Sequence, residues 1–212
     1  MTSTKRLYYI LVLLIGSSSS SVGAQFGGRR GCCVKADTYL NTLSASQEAI
    51  DSVSTGRPAP PCAQNEWHRE WIANLDSSLE RLSGRRLVRS LTECQALAEN
   101  ERLVCVSHDT TESGPIFNYA TRAALDLWEM DWDEFVSTPS RQSAQEDARE
   151  ERARLLDTVS RQGYIDNYSG IRISKSGRRF KISNVLVWNV DDTQGNRLGQ
   201  AALFDRFQVK YL

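Results

Sequence analysis

The sequence predicts an α+β domain over residues 65–208: a five-stranded antiparallel sheet with helices on one face, preceded by N-terminal helices. Three observations lead there. Two short β-rich runs, a helical stretch and three longer strand candidates follow one another, and hairpins after a helical crossover close an antiparallel sheet. Upstream, Trp67, Trp71, Leu75, Leu79 and Leu82 recur at steps of four or three, one apolar stripe of a helix. Hydrophobic residues make up 40% and charged residues 25% of the 212-residue chain, and a domain of about 150 residues buries roughly 70% of the surface its unfolded chain exposes. Such a core needs neither a metal nor a disulfide to hold it.

The chain opens on a targeting segment. Lys5 and Arg6 precede an apolar run, Leu7 to Ile15, then serines and Val22-Gly23-Ala24, the basic, apolar, small-residue order of a signal peptide over residues 1–24. The run is shorter than the roughly 20 residues a bilayer span requires, so no stable membrane span is expected after cleavage. Residues 25–47 carry Arg29, Arg30 and Lys35 against the single acid Asp37. That acid-poor, Ser-rich bias resembles the second part of the two-part plastid presequences of algae with secondary plastids. Entry to the secretory pathway is expected, with a secreted or lumenal destination and a plastid both open. Residues 25–64 read as a disordered linker or transit-like segment, stiffened at its end by Pro58, Pro60 and Pro61.

The domain elements follow in order. The Trp67-to-Leu82 helix ends at Gly84, and Ser90-Leu-Thr-Glu93 reads as a capping box for a second helix reaching about Asn100, with Leu91, Cys94, Leu97 and Ala98 inward. Leu103 to Val106 and Pro115 to Tyr119 form a hairpin across the turn Asp109–Gly114. Thr121 to Met130 is a short helix with Ala124, Leu127 and Trp128 inward, and Asp131-Trp-Asp-Glu-Phe135 starts a further helical turn. Ala144 to Gln162 is a charged helix with Leu155, Leu156 and Val159 inward, stopped by Gly163. Three strands complete the domain: Tyr164 to Ser174 with Ile171 and Ile173 on one face, Arg179 to Val190, and Leu198 to Phe207. Ser176-Gly177 and Gln194-Gly195 supply the turns between them.

Charge and cysteines exclude several classes. Basic and acidic residues balance at 26 each, so the excess that displaces phosphate counterions is missing and nucleic acid is not an expected partner. Five cysteines, with no Cys-x-x-Cys spacing, make neither a complete disulfide framework nor a zinc site. Cys94 and Cys105 read as small buried hydrophobes, whereas Cys32 or Cys33 could pair with Cys62 in an oxidising compartment. Asn167-Tyr168-Ser169 is a glycosylation sequon, usable only in the secretory lumen.

Two stretches carry a resemblance. Ile116-Phe-Asn118-Tyr-Ala120 through Trp128 to Asp131-Trp-Asp-Glu134-Phe resembles the PAS pattern of short strand, Asn, small-residue helix and acidic helix start. The span from residue 65 to 206 is more similar still to the MEKHLA domain, a PAS-related family found as stand-alone proteins in bacteria and algae and at the C-terminus of plant homeodomain-leucine-zipper regulators. Three segments carry it: Ser107-His108 through Trp128-Glu129; Pro139-Ser140-Arg141; and Gly163-Tyr164 through Gly170-Ile-Arg172 and Gly177-Arg-Arg-Phe180 to Val187-Trp188-Asn189. The Met-Glu-Lys-His-Leu-Ala string that names the family is absent, as are homeodomain and zipper patterns, so the plant transcriptional role is not implied. The fold and a sensing or protein-interaction role are.

The resemblance implies a ligand between helices and sheet, of a kind no motif specifies. The candidate ligand-binding residues are His108, Asn118, Trp128, Arg141, Tyr164 and Trp188. Each has a plainer reading: a hydrogen-bonded histidine at a strand end, a turn-fixing Asn118, core packing for both tryptophans, a capping or ion-pairing Arg141. Arg172, Arg178 and Arg179 are expected on exposed sheet positions. A flavin photosensor needs a cysteine on the helical side, which Cys94 and Cys105 do not supply; a haem sensor needs an axial histidine there, and the chain holds only His68 and His108. Asp131, Asp133 and Glu134 sit at a helix start, where they cap backbone donors rather than act as bases, and no catalytic or metal constellation is found. The reading is a PAS-like sensory or ligand-binding module. A protein-interaction or homodimerisation module without ligand is the alternative, and a carboxylate-based lyase or isomerase the second; the latter requires a buried Asp in a cavity.

Overall fold

The computed structural model describes residues 56–111, 114–144 and 149–212; residues 1–24, expected as a signal peptide, most of the expected linker, Cys32 and Cys33 lie outside the described residues. Its elements are α1 (Arg69–Ser83), α2 (Cys94–Ala98), β1 (Leu103–His108), β2 (Phe117–Ala120), α3 (Arg122–Trp128), α4 (Trp132–Phe135), α5 (Arg149–Gln162), β3 (Tyr164–Ile173), β4 (Arg179–Asp191), β5 (Arg197–Asp205) and β6 (Lys210–Tyr211). The strands form one antiparallel sheet in the order β2-β1-β5-β4-β3. These are the five strands expected from sequence. The short β6 adds to them, pairing with Phe180 and Lys181 of β4 beyond the point where β5 has ended.

Strand alternation sorts the helices between the two faces. Trp188 of β4 donates its indole N–H to the Leu75 carbonyl at 3.1 Å, and Trp71 donates to Ser107 Oγ of β1 at 3.0 Å. Trp188 and Ser107 therefore point to the back, where α1 lies. Their neighbours point forward, where Asn189 donates to the Val159 carbonyl of α5 at 2.9 Å and Phe180 meets Trp128 of α3 edge-on at 5.5 Å. The crossover helices share the front face, as the sequence indicates, while the N-terminal helix covers the back.

Local chemistry moves several boundaries. Helix α1 starts at Arg69, because Glu66, Trp67 and His68 sit in the left-handed region at φ 50°, 57° and 60°. Its inward face holds Ile72, Leu75 and Leu79 together with the polar Asp76 and Ser78. The ordered chain also begins before residue 65: Trp132 donates to the Pro58 carbonyl at 2.7 Å, and a His68 ring nitrogen meets the Ala59 carbonyl at 2.7 Å. Ala144 does not open the charged helix but bridges to Arg172 of β3. In front of α2, Ser90 accepts from Thr92 N–H at 3.3 Å while Glu93 reaches back to Arg89 N–H at 3.0 Å, a cap displaced by one residue from the expected box.

The short front helices are fixed by side chains. Thr121 Oγ1 donates to the Leu103 carbonyl at 2.8 Å and accepts from Cys105 N–H at 3.1 Å, tying the start of α3 to β1. Asp131 and Glu134 close a capping box at the start of α4, so those carboxylates are engaged as caps, as expected. At the far end of α3, Glu129 accepts from Ser174 Oγ at 2.8 Å and from Ser176 Oγ, and pairs with Arg178 at 3.2 Å. This clamp on the β3–β4 hairpin holds Trp128 in place.

Candidate functional site

Between the front of the sheet and α3 and α5 lies a cavity of about 50 Å³, room for about three or four waters. Its floor is Val106 and His108 of β1, Val185 and Val187 of β4, and Ala202 and Phe204 of β5; Trp128, Arg152, Leu155 and Leu156 roof it, and Tyr168 and Arg172 close the β3 side. The lining is mostly apolar because the inward positions of β1, β4 and β5 carry aliphatic and small residues.

Two of the six sequence candidates meet here. His108 is buried, and its Nδ1 lies 2.8 Å from the Asp109 carbonyl. A carbonyl only accepts, so Nδ1 carries the proton and Nε2 is the bare nitrogen. Nε2 is buried and has no hydrogen-bond partner among the described residues. Burial pushes the imidazole pKa down to about 4, with the nearby Arg152 charge acting in the same direction, so the ring is neutral at neutral pH. Trp128 sits among Phe135, Phe180 and Phe204, each meeting it at a steep angle, and its indole N–H likewise has no partner.

The other four lie elsewhere. Trp188 is fully buried at the back, packed on α1. Asn118 accepts from Ser107 Oγ at 2.7 Å, linking β2 through Ser107 to Trp71 of α1; it fixes strands rather than the turn. Tyr164 opens β3 opposite Trp188 and does not line the cavity. Arg141 is exposed on the 3-10 turn Ser140–Ser143 and does not line the cavity.

Two arginines take their place. Arg172, expected at the surface, is only 7% exposed and lines the cavity; bulges in the β3–β4 pairing around Tyr168 set the register that turns it inward. Its guanidinium lies 5.5 Å from the Tyr168 ring centroid, donates to the Ile171 carbonyl at 2.9 Å and meets Tyr168 Oη at 3.4 Å. Arg152 was legible: Arg152, Leu155, Leu156 and Val159 stand at i, i+3, i+4 and i+7, one helical stripe. Burial, and then the charge of Arg172, holds the Arg152 guanidinium down to about 10.

Gly170 makes the Tyr168–Arg172 arrangement possible. A Cβ at this position would collide with Tyr168 Oη and come within 3.0 Å of Arg172 Nη1. Gly170→Ala is expected to cost about 1–3 kcal/mol by overpacking and to displace the tyrosine ring, measurable by urea denaturation and near-UV circular dichroism. An unchanged near-UV spectrum would show that the ring is not held there.

Among the described residues no Asp or Glu lines the cavity, and neither Cys94 nor Cys105 does. Cys105 is fully buried and desolvation pushes its thiol up to about 12. Among the described residues no group of three His, Cys, Asp or Glu side chains could hold a metal ion, and no helix is long and apolar enough to cross a membrane.

An antiparallel sheet ordered β2-β1-β5-β4-β3, crossed in front by short helices over a cavity, defines a PAS-type module. The chain belongs to the MEKHLA domain family, which it matches over residues 69–209. Among solved structures it is similar to the PAS domain of a protein from Colwellia psychrerythraea, at 12% identity and a TM-score of 0.47, covering 57% of this chain and 93% of that one. It is also similar to an RNA-binding light-oxygen-voltage receptor, at 16% identity and a TM-score of 0.45, covering 54% of this chain and 34% of that one. A light-oxygen-voltage domain described with a flavin analogue is 14% identical with a TM-score of 0.41, covering 53% of this chain and 78% of that one. No curated protein matches the sequence.

Proposed function

We propose that this protein is a PAS-type sensory module that binds a small organic molecule in the cavity between its sheet and its crossover helices. The observation that carries the reading is one cavity lined by His108 and Trp128, each with a buried ring nitrogen, Nε2 and Nε1, that has no partner among the described residues. Each such group costs about 1–3 kcal/mol when left unsatisfied, and a ligand held there supplies what each lacks. The cavity falls well below the roughly 300 Å³ at which drug-sized sites begin, which favours a ligand of a few heavy atoms. Among the described residues no carboxylate lines the cavity, so nothing there supports the lyase or isomerase alternative, which needs a base.

A partner-binding surface is the second reading. Phe207, Tyr211 and Leu212 are 77%, 54% and 64% exposed at one end of the sheet, an apolar grouping of the kind that marks contact sites.

Native mass spectrometry of the full-length protein tests both readings, with Ala202→Leu as the companion variant. Ala202 lines the cavity on the central strand β5, so the added side chain fills it. A bound small molecule lost in Ala202→Leu is the expected result. Bare protein, with no small molecule raising its melting temperature in wild type over the variant, would sink the ligand reading; a concentration-dependent dimer abolished by Phe207→Ser would then stand for the surface.

A further inference from the structure

Resting on the ligand-binding reading above, we propose that the ligand is a small monocarboxylic acid, its carboxylate held by Arg172 and Arg152 and its carbon skeleton lying on Leu155, Leu156, Val185 and Val187. Two sets of arginines contrast in this fold. Arg81, Arg86, Arg102 and Arg197 have roughly half-exposed side chains, and each meets a well-covered aspartate, at 2.5 to 2.6 Å. Arg172 and Arg152 are the reverse: they line the interior cavity, and no ion pair engages either among the described residues. Arg172 uses two donors on the Ile171 carbonyl and the Tyr168 hydroxyl, and the rest of its guanidinium fork stays unengaged. Arg152 makes no hydrogen bond among the described residues.

The like charges of Arg172, which is nearly withdrawn from water, and of the partly covered Arg152 repel each other across one cavity. That arrangement calls for an anion between them. A carboxylate matches it best: planar, singly charged and able to take two parallel N–H donors from a guanidinium. Among the described lining residues there is no acid to compete and no other cation, since His108 is neutral there. The aliphatic walls select an acid with a carbon tail over a free inorganic anion, and a volume of about 50 Å³ limits that tail to a short chain or one small ring.

The test is isothermal titration of the full-length protein with acetate through octanoate and benzoate, each beside its own amide, with inorganic phosphate as the tail-less anion. One or more of the acids is expected to bind. The matching amide should bind at least about tenfold more weakly, and phosphate more weakly than the acid, because a charge-assisted pair is worth about tenfold to a hundredfold. Arg172→Met and Arg152→Met should each weaken the acid by about the same factor while keeping a cooperative thermal transition. An acid and its amide binding equally would overturn the charge assignment and leave the cavity reading standing. Phosphate binding as tightly as every acid would overturn the carboxylate. Acid binding indifferent to Ala202→Leu would place the anion outside the cavity and overturn the proposal. No binding of any acid while an uncharged molecule copurifies would overturn it too.

Discussion

Asp76→Ala should lower the stability of this domain by about 3 kcal/mol, the largest effect expected from any single polar side chain on α1. Asp76 is 3% exposed on the buried side of that helix. Its Oδ1 accepts from the backbone N–H groups of Leu87 at 2.7 Å and Val88 at 3.2 Å, and its Oδ2 receives Arg86 through Nε at 2.8 Å and Nη2 at 2.6 Å. Leu87 and Val88 are themselves 5% exposed, so alanine leaves two buried donors with no acceptor, each costing about 1–3 kcal/mol. The guanidinium contributes little to that total. The Arg86 side chain is 48% exposed and rehydrates when released, and exposed pairs are worth at most about 1 kcal/mol. The asymmetry is the test. In urea denaturation Asp76→Ala should cost several times what Arg86→Ala costs, with a melting temperature lower by roughly 6–12 °C for a domain of this size. Equal losses from the two variants would mean that the ion pair, not backbone capping, holds α1 to the chain that follows it.

This aspartate also shows where the sequence was legible and where it was not. The apolar stripe of α1 could be read from Leu75 and Leu79, because burial of aliphatic side chains at helical spacing is the strongest pattern a sequence carries. Asp76 beside them reads as a solvated charge, since nothing local says that two amides eleven and twelve residues downstream will need an acceptor. The sheet was legible for the same reason as the stripe. Leu103 to Val106, Phe180, Ile182, Val185 and Val187 are β-branched or aromatic runs bounded by Gly-containing turns, and turn chemistry fixes hairpins locally.

The site was less legible because it depends on register. In β3 the readable apolar pair was Ile171 and Ile173, yet the bulges near Tyr168 turn Gly170, Arg172 and Ser174 toward the interior instead. A one-residue slip exchanges the two faces of a strand, and no pattern within β3 alone decides between them. The periodicity of α3 marks Trp128 and the end of β1 marks His108, whereas the face that Trp188 takes depends on carrying strand alternation across the β4–β5 hairpin to the position of α1. Arg152 follows from the same stripe as Leu155, Leu156 and Val159, but a charged residue on an apolar stripe reads as noise until a second buried cation stands opposite it.

The stability of the protein is expected to fall by about 3 kcal/mol between pH 6.5 and pH 4 through His108 alone. The unfolded imidazole titrates at 6.5, and burial in the folded state moves it to about 4. Above pH 6.5 the ring is neutral in both states and contributes no pH dependence. Below it the unfolded chain binds a proton that the folded chain refuses, so stability drops as pH falls. The loss levels off near pH 4, where the folded ring also protonates. Its size follows from about 1.4 kcal/mol per unit of displacement. Arg152 opposes the imidazolium and Asp109 favours it; burial outweighs both. His68 is also shifted down, first by burial, and adds a loss of the same sign, so the wild-type slope alone does not isolate His108. His108→Gln does, because glutamine keeps a donor for the Asp109 carbonyl and does not titrate. Guanidinium denaturation at half-unit steps across this window should give the variant a flatter profile than wild type by about 3 kcal/mol overall. Parallel profiles would mean that water reaches Nε2 and the ring titrates as it does in the unfolded chain; the cavity would then be a wet surface cleft, and its unpartnered nitrogens would need no ligand to account for them.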